Sequence, residues 1–243
     1  MEKKFFVIEG TDGSGKGTQS KLLVERIREQ GLAVTPFAFP QYEKPTGQII
    51  KAYLSGVYGG TAALAPETAA VLFAMDQAAA KPEIEACLAR GEVVIADRFV
   101  TSNIGHQGAR IPIEDVARRE QFVEMVLAMS YQALQFPRPD LTIILHVPTE
   151  ISLQLIEARG REKDEHESNV DHLRAAEKAY LDMVASLPNT VVISCAPDGV
   201  LLSKEEVHAK VWEQITAFEV GEKSQAELEE TRKTNAWVMG PRY

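Results

Sequence analysis

A run of four apolar residues, a glycine-rich turn closing on lysine, and a segment of helical character follow one another in "FFVIEGTDGSGKGTQSKLL", residues 5–23. Gly10, four intervening residues, Gly15 and Lys16 give the spacing of a phosphate-binding loop, in the strand-before, helix-after context that the pattern requires. Backbone N–H groups must point inward around phosphate oxygens, which favours glycine at positions 13 and 15. Lys16 adds a point charge, and the following helix adds its positive end. Gly10, Thr11, Asp12, Gly13, Ser14, Gly15, Lys16, Gly17 and Thr18 are therefore the candidates for holding a polyphosphate. Such a loop also constrains the fold, because ligands of open α/β sheets sit at the carboxyl ends of the strands.

Two positions depart from the usual loop. Gly17 stands where Ser or Thr ordinarily brings a hydroxyl to magnesium, and Thr18 is the nearest replacement. Asp12 places a carboxylate beside phosphate, which is repulsive unless it turns across the site to a neutral or cationic group, such as a sugar hydroxyl of a second substrate. A solvated loop residue is the plainer alternative for Asp12.

Short apolar runs alternate with segments of helical period along the rest of the chain. "KFFVI", "AVTPFAF", "EVVIAD", "LTIILHV" and "TVVISC" read as strands, separated by helical stretches at 17–31, 45–56, 66–90, 113–134, 149–185 and 203–217. This βα alternation, with continuously apolar strands, predicts an α/β fold: a five-stranded parallel sheet with helices on both faces, of the P-loop NTPase type. A chain of 243 residues that is 45% hydrophobic can bury one such core. The polar stretch "FPQYEKPTG" at 39–47 and the charged stretch "ARGREKDEHES" at 158–168 interrupt the pattern, the second as a short lid. The domain is expected over 1–217, followed by a polar tail at 218–243.

A net charge of -9 argues against a nucleic-acid polymer or a membrane surface as partner, so any anionic ligand must be held by a few placed cations and amides. No apolar run reaches membrane-spanning or signal-peptide length, and Cys87 and Cys195 have no metal-type spacing. A cytoplasmic location with two structural thiols is expected.

"VVIADRFVTSNIGHQGAR" at 93–110 sets Asp97 and Arg98 at a strand's carboxyl end. There Asp97 can organise a magnesium ion and its waters, and Arg98 can bind a phosphate in bidentate fashion; a structural Asp–Arg pair is the alternative.

"GSGKGTQ" resembles the loop of adenylate kinase and related nucleoside monophosphate kinases. "IEGTDGSGKGTQ", "FPQYEKPTGQII", "VLFAMDQ", "DRFVTSNIGHQGA", "PRPDLTIILHVP" and "ARGREK", in that order over about residues 1–217, together resemble the thymidylate kinase family. The resemblance implies transfer of the γ-phosphoryl group of ATP to dTMP with Mg²⁺, by a homodimer. It implies that Phe39 and Pro40 shape the acceptor site, that Phe73 stacks on the base, and that Gln77, Ser102, His106 and Gln107 lie around the acceptor with Asp12 and Arg98.

Phe73, Asp76 and Gln77 share a helix face at offsets of three and four, although Phe73 alone also reads as a core aromatic. Gln77 stands where family members commonly carry Arg, and His106 where they carry an aromatic residue. These departures leave open another pyrimidine or deoxynucleoside monophosphate as acceptor, or a nucleotide-binding protein of little turnover. In the family that this chain resembles, the catalytic arginine lies either in the phosphate loop or in the lid. The loop here has none, so the resemblance implies Arg159 and Arg161 for neutralising transition-state charge, against the alternative of a solvated charged loop. Catalytic candidates are thus Lys16, Arg98, Arg159, Arg161 and Asp12, with Asp97 and Thr18 for the metal.

Overall fold

The computed structural model describes residues 4–158 and 168–220. Five strands, β1 (Phe5–Glu9), β2 (Val34–Ala38), β3 (Val93–Asp97), β4 (Leu141–His146) and β5 (Thr190–Ser194), form one parallel sheet in the order β2-β3-β1-β4-β5. The strand that feeds the phosphate loop is central. It pairs with β3 in the register Ile8↔Asp97 and with β4 in the register Glu9↔Ile144. Glu9, Asp97 and the residues that follow them therefore emerge side by side at one edge.

Successive side chains of a strand point to opposite faces, and β1 serves two cores in this way. Phe5 and Val7 pack with helices α3 (Pro66–Ala89), α4 (Val100–Gly108), α5 (Val116–Ala128) and the end of α7 (Val170–Ala179). Phe6 and Ile8 pack on the other face with α1 (Lys16–Glu29) and α8 (Lys204–Val220). A smaller cluster of Ile50, Tyr53, Leu54 and Ala69 joins α2 (Pro45–Leu54) to α3. The expected α/β layering is present, with α6 (Thr149–Ala158) and α7 flanking the stretch read as a lid.

Three details differ from the expectation. Helix α4 follows β3 after two residues, where the sequence shows no helical period; Glu9 accepts hydrogen bonds from Phe99 N and Thr101 Oγ1 and so holds its first turn. Gly105 of α4 lies against the Tyr180 ring, which leaves no room for a Cβ. The stretch 149–185 is not one helical run: α6 ends at Ala158, and α7 starts at Val170 and passes into a π-helical turn at Tyr180–Val184. The last helix continues to Val220, three residues past the expected boundary, and residues 221–243 lie outside the described residues.

Cys87 and Cys195 are buried and unpaired with each other. Among the described residues no helix is long and apolar enough to cross a membrane.

Candidate active site

The loop after β1 takes a path that only glycine adopts without strain. Gly10 has φ +138°, and a Cβ there would lie 2.5 Å from the Leu145 carbonyl oxygen; Gly13 has φ +85°, and a Cβ there would lie 2.7 Å from that of Ser152. The loop is thereby pressed against the end of β4 and the first turns of α6.

Lys16 opens α1, is buried, and donates from Nζ to the Thr11 carbonyl at 2.7 Å. Burial, with the Arg98 charge adding to it, brings its pKa down from 10.5 to about 8. An anion supplied to the loop would reverse both effects.

Arg98 is the centre of the second constellation. It occupies the left-handed region at φ +68°, and its backbone N donates to the Ile8 carbonyl at 3.0 Å. Its guanidinium pairs with Asp12, donates to the Gly10 carbonyl at 3.2 Å, and lies 2.8 Å from His106 Nε2. Burial is the largest influence and opposes the charge, but Asp12 together with Tyr180, Glu9 and Asp97 outweighs it and the pKa is raised. Asp12 thus turns across to a cation instead of lining the phosphate cradle. A guanidinium can only donate, so His106 Nε2 must carry its lone pair towards Arg98 and the ring is neutral in this contact. His172 of α7 stacks 6.0 Å from the His106 ring, and burial pushes its pKa down to about 4 against the pull of Asp12.

Behind Arg98 stands Glu9, fully buried. It accepts from Phe99 N at 2.9 Å, Thr101 Oγ1 at 2.7 Å, Ser102 Oγ at 2.7 Å and Tyr180 Oη at 2.8 Å. The backbone turn that carries Arg98 is therefore clamped to β1 on one side and to the helix after the lid stretch on the other. Glu9 and Tyr180 were not among the candidate residues; that four donors converge on Glu9 depends on contacts up to 171 positions apart.

Asp97 is half-buried, and a Cβ at Gly17 would sit 3.3 Å from its Oδ2, so the glycine leaves open space in front of the carboxylate. Thr18 is exposed one residue on. Among the described residues no group of three or more His, Cys, Asp or Glu could hold a metal by itself. One carboxylate, a neighbouring hydroxyl and room for water suit Mg²⁺, which keeps several waters and takes its remaining ligands from phosphate.

Beside Arg98 opens a cleft of about 540 Å³, the open solvent at its mouth included. Phe39, Pro40, Phe73, Gln77, Asp12, Arg98, Ser102, His106 and Gln107 all line it, so every residue expected around the acceptor lies in one cavity. Tyr42, Leu54 and Asn103 line it as well and were not foreseen. Phe73 meets Tyr53 edge-on at 6.3 Å. Asp76, expected on the same face as Phe73 and Gln77, is turned instead to Gln41 N at 2.8 Å and Thr46 Oγ1 at 2.7 Å, where it holds the "FPQYEKPT" loop in place. Arg159 and Arg161 lie outside the described residues.

The thymidylate kinase family model matches residues 8–211. A probable thymidylate kinase of Pyrococcus abyssi is 31% identical over 215 residues, covering 87% of this chain and 95% of the relative. The thymidylate kinase of Ectopseudomonas mendocina is 33% identical over 191 residues, covering 77% of this chain and 85% of its own. A thymidylate kinase structure from Candida albicans superposes with a TM-score of 0.69 at 21% identity, covering 88% of this chain and 91% of that one, and so shares the fold. With a phosphate loop, a strand-end Asp–Arg pair and an aromatic cleft assembled at one sheet edge, the chain belongs to the thymidylate kinase family.

Proposed function

We propose that this protein phosphorylates dTMP to dTDP with ATP as donor, in the supply of dTTP. The observation that carries this reading is the Asp12–Arg98 pair, which joins the phosphate loop to a cleft with an aromatic wall. One nucleotide's phosphates fit the loop, and the other's phosphate meets Arg98 with its base beside Phe73.

An oxygen of the dTMP phosphate attacks the γ-phosphorus of ATP, the bond to the β–γ bridging oxygen breaks, and ADP leaves. The attacking oxygen is already ionised, so no general base is needed and catalysis consists of placement and charge neutralisation. Lys16 and the loop amides hold the donor phosphates. Arg98 holds the acceptor phosphate, its direction set by Asp12, His106 and the Glu9 clamp. Asp97, with Thr18 or through water, would hold Mg²⁺, which would supply charge neutralisation at the donor phosphates. Arg159 and Arg161 are the proposed source of further positive charge over the transferring group. We take the active form to be a cytoplasmic homodimer; the exposed Val71 and Met75, one turn apart on α3, support an apolar contact.

Lys16 titrates near pH 8 in the free protein, and a bound triphosphate favours its ammonium form. ATP binding is therefore expected to take up a proton above pH 8 and to weaken by up to about tenfold per further pH unit. Titration calorimetry in two buffers of different ionisation heat at pH 8.5 and pH 7 checks this, the uptake by Lys16 falling to about a tenth of a proton at pH 7.

The function itself is tested by chromatographic separation of nucleotides after incubation with ATP, Mg²⁺ and dTMP. Formation of dTDP and ADP in equal amounts is expected, and a failure to convert dTMP sinks the proposal.

A further inference from the structure

The hydrogen-bonding inventory of the acceptor cleft is unusual at three of its amide side chains, Gln77, Asn103 and Gln107. Gln77 is 3% exposed and Asn103 2% exposed, both line the cleft, and among the described residues neither Gln77 Oε1 nor Asn103 Oδ1 has a hydrogen-bond partner. The Asn103 amide cannot simply turn over, because its Nδ2 donates to the Ala70 carbonyl at 3.2 Å, so Oδ1 is fixed as an acceptor. Gln107 is fixed in the opposite sense: its Oε1 accepts from Arg110 at 3.0 Å, which leaves only its NH₂ to offer a ligand. Gln77 has no such tether and can present either end of its amide.

The three thus offer one fixed acceptor, one fixed donor and one reversible amide, with no formal charge among them. A buried acceptor left without a donor is destabilising, so the fitting ligand is one that brings N–H groups. Two pyrimidine edges satisfy the set. Thymine gives its N3–H to Asn103, and its two carbonyls accept from Gln107 and from Gln77 with its NH₂ turned inward. Cytosine gives the two hydrogens of its 4-amino group to Asn103 Oδ1 and Gln77 Oε1, while a ring acceptor takes the Gln107 NH₂. The second arrangement brings Gln77 Oε1, which has no solvent contact in the free protein, round to the ligand.

From this we infer that the cleft also accepts 4-aminopyrimidine deoxynucleoside monophosphates, so that dCMP is phosphorylated to dCDP at the same site, with Gln77 as the residue that reads position 4. The phosphoryl step is unchanged: an oxygen of the dCMP phosphate bonds to the γ-phosphorus and ADP departs. The inference rests on the dTMP kinase reading above.

The test measures kcat/KM for dTMP and dCMP on the full chain with ATP and Mg²⁺, by chromatography of the mono- and diphosphates, for the parent protein, Gln77→Arg and Gln77→Glu. The parent is expected to use dCMP within about 100-fold of dTMP, where a site that reads one edge alone discriminates by about 10⁴-fold or more. Gln77→Arg offers only donors at position 4 and is expected to lower the dCMP-to-dTMP ratio by about 30-fold. Gln77→Glu offers only acceptors and is expected to raise it by a similar factor. Because both substrates are compared on the same protein, a loss of folded material cancels from the ratio. Turnover of dTMP with dCMP rejected by about 10⁴-fold overturns this inference and leaves the dTMP reading intact. Ratios that stay constant across the three proteins overturn the role of Gln77. If dTMP itself is not converted, the reading beneath the inference falls instead.

Discussion

Lys16→Ala is expected to lower kcat/KM by about 10³-fold while leaving the folded protein as stable as the parent or more so. The loss follows from removing a cation that acts in a water-poor cradle, where one placed charge or donor is worth about 3–4 kcal/mol to the transition state. The stability effect has the opposite sign because the Lys16 ammonium is held where burial disfavours it. The fall from 10.5 to about 8 corresponds to a cost on the order of 3 kcal/mol at neutral pH. That cost is present in full below pH 8, where the folded and unfolded chains are both protonated at Lys16. It shrinks as pH rises and vanishes above 10.5. Steady-state kinetics and urea unfolding at pH 7 and pH 10 check both halves. A variant that loses activity and stability together would mean that Lys16 holds the loop together instead of waiting for phosphate.

Arg98→Ala is the second large effect: a loss of about 10³-fold in kcat/KM, expressed mainly in the acceptor term, together with destabilisation of about 2–3 kcal/mol. Asp12 is the reason for the destabilisation, since it remains partly buried without its partner. The double variant with Asp12→Asn should recover most of the stability and none of the activity, which separates the structural role of the pair from its work on phosphate. The backbone adds a finer distinction. Position 98 sits at φ +68°, so Arg98→Gly should be more stable than Arg98→Ala by about 1 kcal/mol. Equal stability of the two would show that the local turn relaxes once the guanidinium is gone.

The phosphate loop and the sheet could be read from the chain because each is local. Gly10, Gly15 and Lys16 declare their turn through spacing, and "TIILHV" declares a doubly covered strand through unbroken apolarity. Helix α4 could not be read that way. "VTSNIGHQG" contains β-branched, Asn and Gly residues of poor helix propensity, and its helix is held by Glu9 and by packing on Tyr180, both remote in sequence. Missing that helix hid Asn103, which lies one residue past Ser102 and is brought to the same cleft only once the segment is coiled. Asp76 shows the limit of helical offsets: position three after Phe73 predicts a shared face, yet two donors from the 41–46 loop turn its carboxylate away. His106 reads as an acceptor-side residue by position; the structure sets it in the cleft and adds a contact with Arg98 that the sequence does not show.

The Glu9 clamp also bears on when the site comes into being as the chain folds. Its Tyr180 contact closes a loop of 171 residues, so the last hydroxyl to reach Glu9 belongs to a segment made long after β1. A nascent chain with β1, β3 and α4 already paired still has an incomplete clamp around the turn that bears Arg98. Acceptor-site assembly is therefore a late event of synthesis, and partial chains lacking α7 carry the phosphate loop sequence without a finished place for the second nucleotide.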